Sequence, residues 1–152
     1  MIEIIKTFIP FGIKNKNNRI YTKDDVERHI QKFLDSRPKF GTFMDLAESG
    51  SIDISKISHS IDDIWIKNEK LIGKITILDT PYGKILQTLY ESDEYFGVRP
   101  TSLGSVDSDC FVTINELITF NIVTMANDAY FTIRDIRRMK LKKIKEKYED
   151  LI

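Results

Sequence analysis

Two isoleucine-rich runs, residues 57–66 and 71–78, stand on either side of the polar tetrad Lys67-Asn68-Glu69-Lys70. Apolar, β-branched stretches joined by so short a polar link predict a β-hairpin with mostly buried strands. A lone hairpin cannot cover its own apolar faces, so the rest of the chain has to supply elements that pack on it.

Residues 2–11, with Ile4, Ile5, Phe8, Ile9 and Phe11, predict a first strand, and the Asn-rich stretch 14–19 a loop. Thr22 followed by Asp25 has the spacing of a capping box. With Val26, Ile30, Phe33 and Leu34 on one face, residues 22–35 predict an amphipathic helix that ends before Pro38. A strand ending near 43 and a surface loop with Glu48-Ser49-Gly50-Ser51 follow. Asp79 or Thr80 can cap a second helix that has Pro81 at its first position, Ile85, Leu86, Leu89 and Tyr90 on its apolar face, and its end by about 92. Strands are expected at 95–99, 109–114 and 116–125, and a basic amphipathic helix over the last segment, 132–152. Mostly antiparallel strands with a few helices and no βαβ alternation predict an α+β domain or a small barrel over residues 1–131.

At 152 residues the chain suits a single core of this kind. Lys plus Arg (23) equals Asp plus Glu (23), so no overall field steers it to nucleic acid or to an anionic membrane. Cys110, the one cysteine, has no disulfide partner within the chain and reads as a small core residue. The start, Met1-Ile2-Glu3-Ile4-Ile5-Lys6, lacks the long apolar run of an export or membrane segment, and a cytoplasmic setting is expected. Two histidines and one cysteine offer no metal-ligand spacing, and no Gly-rich phosphate loop stands out, so no metal or cofactor is expected.

Four stretches, in order, resemble the prohead proteases of tailed phages. Asn15-Lys16-Asn17-Asn18-Arg19-Ile20-Tyr21-Thr22 is similar to the family's NRNGRIYP approach to its first helix. Ile57-Ser58-His59-Ser60-Ile61-Asp62-Asp63-Ile64-Trp65 is close to VSHVITDLW, and residues 71–86 to YGKAKILDTPNGKIL. Gly97-Val98-Arg99-Pro100-Thr101-Ser102-Leu103-Gly104-Ser105-Val106 resembles GVSSRGLGSV, and residues 116–123 the end of FELITIDVV. The resemblance implies that family's barrel-with-helices fold, shared with herpesvirus assembly proteases, and a place in capsid assembly.

It also implies where a catalytic pair would stand. The family's nucleophile is the first serine after Gly-Val, a position held here by Arg99, with Pro100 next. A guanidinium stays protonated and cannot attack a carbonyl, and proline has no side-chain nucleophile. The family's histidine lies in a Gly-Glu-Leu-Asp-His-Pro stretch, where this chain has Asp45, or Leu46 if the one-residue gap falls earlier. The expectation is a protease fold without protease activity: a structural or auxiliary capsid protein that binds coat or other head proteins, with Arg99 and Asp45 at the contact. It would work in an oligomeric assembly, in the host cytoplasm during assembly and then in the virion. The alternative is an active serine endopeptidase that cleaves scaffold and coat proteins, with Ser102 or Ser105 as displaced nucleophile and His59 as base. His59, between Ile57 and Ile61, otherwise reads as a packed, hydrogen-bonded strand residue, and His29 as a surface one. Arg134, Arg137, Arg138, Lys142 and Lys143 read as a solvated basic face, with nucleic-acid contact as the weaker alternative because acids interleave there.

Overall fold

The computed structural model describes residues 1–36, 39–45, 51–130 and 141–142. Strands β3 (Ile57–Lys67) and β4 (Lys70–Ile77) form the expected hairpin. Its turn is two residues long, with Asn68 at φ 50° and Glu69 at φ 60°, the paired left-handed conformations that match the twist of antiparallel strands. β1 (Glu3–Pro10) pairs antiparallel with β4, and β2 (Lys39–Thr42) with β3, giving a four-stranded sheet in the order β1-β4-β3-β2. β5 (Phe96–Val106) and β6 (Val112–Thr124) make a separate two-stranded sheet.

Helix α1 (Lys23–Asp35) starts where Thr22 Oγ1 accepts from the Asp25 amide, and α2 (Pro81–Glu91) where Thr80 Oγ1 accepts from the Gly83 amide at 3.0 Å. Thr80 rather than Asp79 is thus the cap, with Pro81 placed where its missing N–H costs nothing. The core joins both sheets and α1 through three phenylalanines. Phe8 lies 4.5 Å from Phe120 between ring centroids, and Phe33 meets Phe120 edge-on at 5.5 Å. All three are almost fully buried. Phe8 fits because it lies against Gly73: a Cβ there would come within 2.1 Å of the ring.

The expected closed barrel is corrected. The two sheets face each other across two seams, and neither seam is a continuous ladder. At the β2/β6 seam side chains stand in for it. Thr119 Oγ1 donates to the Phe40 carbonyl (2.7 Å), the Thr42 N–H donates to Asn121 Oδ1 (2.9 Å), and a lone parallel bridge joins Phe43 to Ile122. His59 reaches over from β3, its Nε2 2.8 Å from the Phe120 carbonyl. It can do so because residue 41 is glycine; a Cβ there would sit 2.1 Å from that nitrogen. At the other seam Lys6 Nζ donates to the Phe96 carbonyl and lies over the Phe96 ring, 4.3 Å from its centre. Side chains spanning a seam hold its strands farther apart than a main-chain ladder would.

Two further expectations change. Residues 109–114 and 116–125 are not two strands: β6 runs through them, and its pairing with β5 skips Asn115 and Ile118. Those two bulges disturb the alternation that strand reading depends on. Cys110 is no core residue. It sits half-exposed in the β5–β6 turn with φ 72°, beside Asp107, whose Oδ1 accepts from the amides of Asp109 and Phe111 at 2.9 Å each. The helix expected over 132–152, with Arg134, Arg137, Arg138 and Lys143, lies outside the described residues apart from Leu141 and Lys142, which are helical and exposed. Among the described residues no helix is long and apolar enough to cross a membrane.

Gly73→Ala drives a methyl into the Phe8 ring and is expected to cost about 1–3 kcal/mol, read as a lower urea midpoint with an unchanged slope; an unaltered midpoint would show that the ring has room to move. His59 is wholly buried, and burial holds its imidazole down to about 4 from the ordinary 6.5. The unfolded chain therefore takes up a proton that the folded one refuses. Stability from this group is complete above pH 6.5 and is lost as pH falls toward 4. Urea titrations should show about 2 kcal/mol less stability at pH 5 than at pH 7 from this group, and His59→Gln should remove that difference.

Candidate functional site

The loop at 14–19 is shaped by Asn15, whose Oδ1 accepts from the amides of Asn17 (2.9 Å) and Arg19 (3.2 Å), while Asn18 takes a left-handed turn at φ 57°. The Asn-rich composition thus serves a compact turn that presents Arg19 and Tyr21. Just beyond it Ile20 bonds main chain to main chain on both sides of Phe111, donating to the Cys110 carbonyl (2.7 Å) and accepting from the Val112 amide (3.0 Å). Asp25, in the first turn of α1, accepts from the Ile114 amide at 2.9 Å. Helix and β-ribbon are thereby locked together under Tyr21.

Tyr21 is buried, and its phenol oxygen is hydrogen-bonded by the Arg19 guanidinium and the Ser102 hydroxyl, with the charge of Arg99 close by. Burial pushes its pKa up and the two arginines pull against that shift. Two neighbouring clefts share Arg19 and Tyr21. One is closed by Asn15, Val98, Arg99, Pro100 and Tyr130, whose phenol burial pushes up to about 12. The other is closed by Ser102, Gly104, Ser105, Val106 and Val112. Two arginines line these clefts, and no carboxylate stands among the described residues of either lining.

Arg99 lies opposite Asn121 in the β5–β6 ladder. On the other side of β6 runs the stretch 42–45: the Met44 N–H donates to the Ile122 carbonyl (2.9 Å), Met44 takes φ 61°, and Asp45 is buried next to it. Asn121 links the two sides, accepting from the Thr42 amide and donating through Nδ2 to Thr101 Oγ1 at 3.0 Å. The loci named from sequence, Arg99 and Asp45, therefore flank one short piece of β6. Leu46 lies outside the described residues.

His59 and the serines of β5 are not brought together. The carbonyl of Phe120 can only accept, so His59 carries its proton on Nε2, and Nδ1 accepts from Ser58 Oγ at 2.9 Å. Ser58 and His59 form a serine–histidine contact, but both are fully buried and no substrate can reach them. Ser102 is turned to Tyr21, and Ser105 is exposed opposite Thr113. His29 is half-exposed on α1. No group of three or more His, Cys, Asp or Glu suited to a metal stands together among the described residues.

Sequence reasoning missed Arg19, Tyr21 and Asn121. For Asn121 a signal existed: it is a polar residue inside the apolar run 117–123, where a buried amide must find partners. For Arg19 and Tyr21 the signal was their place in the stretch similar to NRNGRIYP, but their contact with β5 depends on that strand lying across the fold.

No curated protein sequence matches this chain. Among solved structures, the capsid assembly protease of bacteriophage T4 superposes with a TM-score of 0.64 at 20% identity, over 80% of this chain and 77% of that one. At that identity the likeness is one of fold, and it extends to the mixed, mostly antiparallel arrangement of strands with two helices. Residues 2–139 match the family described as prohead core protein serine protease, and the chain belongs to that family.

Proposed function

We propose that the chain acts in phage head assembly as a member of this family that grips a head protein without cutting it. The observation that carries this reading is the chemistry at the paired loci across Asn121 and Ile122: Arg99 and Pro100 on one side, Asp45 on the other. Acyl transfer needs a hydroxyl or thiol beside a base that takes its proton. Neither locus has one. Asn121 adds to this, since it stands where the family pattern has an aspartate, and an amide cannot hold a cationic imidazole as a carboxylate does.

What the cleft offers instead is a cationic grip. Arg99 and Arg19 can each meet a carboxylate in a charge-assisted hydrogen bond, and five N–H donors let Arg19 keep Tyr21 while doing so. A coat or other head protein bound in this way would carry the chain into the growing shell, in the host cytoplasm and then in the virion, as one component of an oligomeric assembly.

The second reading, favoured by the family's description as serine proteases, is an active endopeptidase that uses Ser102 or Ser105. Incubation with the coat and scaffold proteins of the same phage separates the two. The chain is expected to leave them uncleaved and to co-purify, itself uncut, with intact virions; cleavage that disappears in Ser102→Ala or Ser105→Ala would overturn the binding reading. Arg99→Ala is expected to weaken capture of the coat protein about tenfold or more, the worth of a hydrogen bond to a charged group, in a variant whose circular dichroism shows it folded. Asn121→Asp should fold as well, because Thr42 N–H and Thr101 Oγ–H can both donate to a carboxylate. It should also weaken capture, by setting a negative charge beside Arg99.

A further inference from the structure

The seam at Lys6 holds a buried carboxylate. After β6 the chain makes a short 3-10 turn, Met125–Asn127, and Asp128 then turns inward, 6% exposed. A carboxylate taken out of water is costly unless donors meet it. Here the Tyr95 phenol donates to Oδ2 (2.5 Å) and the Tyr130 amide donates to Oδ1 (3.0 Å). Lys6, whose ammonium lies over the Tyr95 ring 5.0 Å from its centre, is close enough for its charge to interact with the same carboxylate. Room for the group comes from Gly97, where a Cβ would run into Oδ2.

One side chain thus joins β1, the start of β5 and the stretch 128–130, and that stretch is a wall of the first cleft. Ala129 and Tyr130 line it together with Arg19 and Arg99, and Arg99 stands two residues beyond Gly97. The Ala129 carbonyl accepts from the Lys16 amide at 3.0 Å, which ties the wall to the loop at 14–19. Asp128 is not part of the lining. The stretch therefore shows the two arginines a neutral phenol, whose pKa burial pushes up to about 12, while its negative charge is engaged by Tyr95 and Lys6. A carboxylate brought by a partner meets no rival anion from this wall.

We infer that Asp128 is the positioning residue of this cleft: its carboxylate pins residues 128–130 against the start of β5 as a strap, and releasing the strap opens the cleft and loosens the grip on a partner carboxylate. This rests on the binding reading above and adds what holds the grip in shape. Asp128 touches no partner itself and acts through Tyr130 and Ala129.

The test compares the full chain with Asp128→Asn and Tyr95→Phe, all ¹⁵N-labelled and shown folded by circular dichroism. Asparagine offers one acceptor oxygen where the carboxylate offers two, and phenylalanine removes the phenol donor while leaving the charge. Hydrogen exchange at the Tyr130 and Lys16 amides should quicken about tenfold or more in Asp128→Asn and less in Tyr95→Phe, with the amides of Thr42 and Met44 unchanged. Capture of coat protein should weaken in the same order, and Asp128→Asn should cost less capture in the Arg99→Ala background than in the unaltered chain. Unchanged exchange at residues 130 and 16 in both variants overturns the strap. Undiminished capture by a variant whose amides are freed, or an equal cost in both backgrounds, overturns the positioning role; each of these leaves Arg99-dependent capture standing. If the unaltered chain captures no coat protein, the binding reading falls, while freed amides at 130 and 16 beside intact ones at 42 and 44 still support the strap.

Discussion

The register between the two sheets of this protein is fixed at the seam between β2 and β6, where three polar side chains do what a β-ladder does elsewhere. Thr119, Asn121 and His59 each join a main-chain group of the facing segment, and all three are buried. A buried hydrogen bond contributes only about 1 kcal/mol net, but leaving one partner unmatched costs about 1–3 kcal/mol. The seam therefore fixes position more than it adds stability. A slip of one residue in β6 would strand three polar groups in the core at once. That penalty is why the chain can rely on side chains where most barrels rely on backbone.

The same seam fixes where Arg99 and Asp45 stand on either side of β6. The segment 42–45 hangs on β6 through the amides of Thr42 and Met44, and Thr101 of β5 is tied to the same Asn121. Both segments thus bond to one amide side chain. A protease needs its nucleophile and base within hydrogen-bond reach of each other. A binding cleft needs only that its walls stay apart at a constant width. One fold can serve either requirement, so the side chains at these positions, and not the scaffold, decide between them.

Much of the scaffold could be read from local pattern. The hairpin of β3 and β4 was legible because a polar tetrad interrupts two isoleucine-rich runs, and the starts of both helices because Thr22 and Thr80 sit three residues ahead of the amides they accept from. β6 was misread where Asn115 and Ile118 bulge out of register, since period-two alternation fails at a bulge. Cys110 was misplaced because a turn built on Asp107 demands a left-handed residue, and nothing in its immediate neighbours announces that. Arg99 and Asp45 could be named from motif spacing. That they share one stretch of β6 could not, because contact between distant segments is a property of the packed sheets.

Arg99 and Pro100 act together on the edge of β5. Proline is tolerated in β5 because the strand is an edge: in the β5–β6 ladder Pro100 lies opposite Phe120, whose carbonyl is turned to His59 on the far side. Its ring withdraws a donor from the outer edge, and Arg99 sets a guanidinium beside it. The outer edge of β5 thus lacks a main-chain donor at 100, next to a cation at 99.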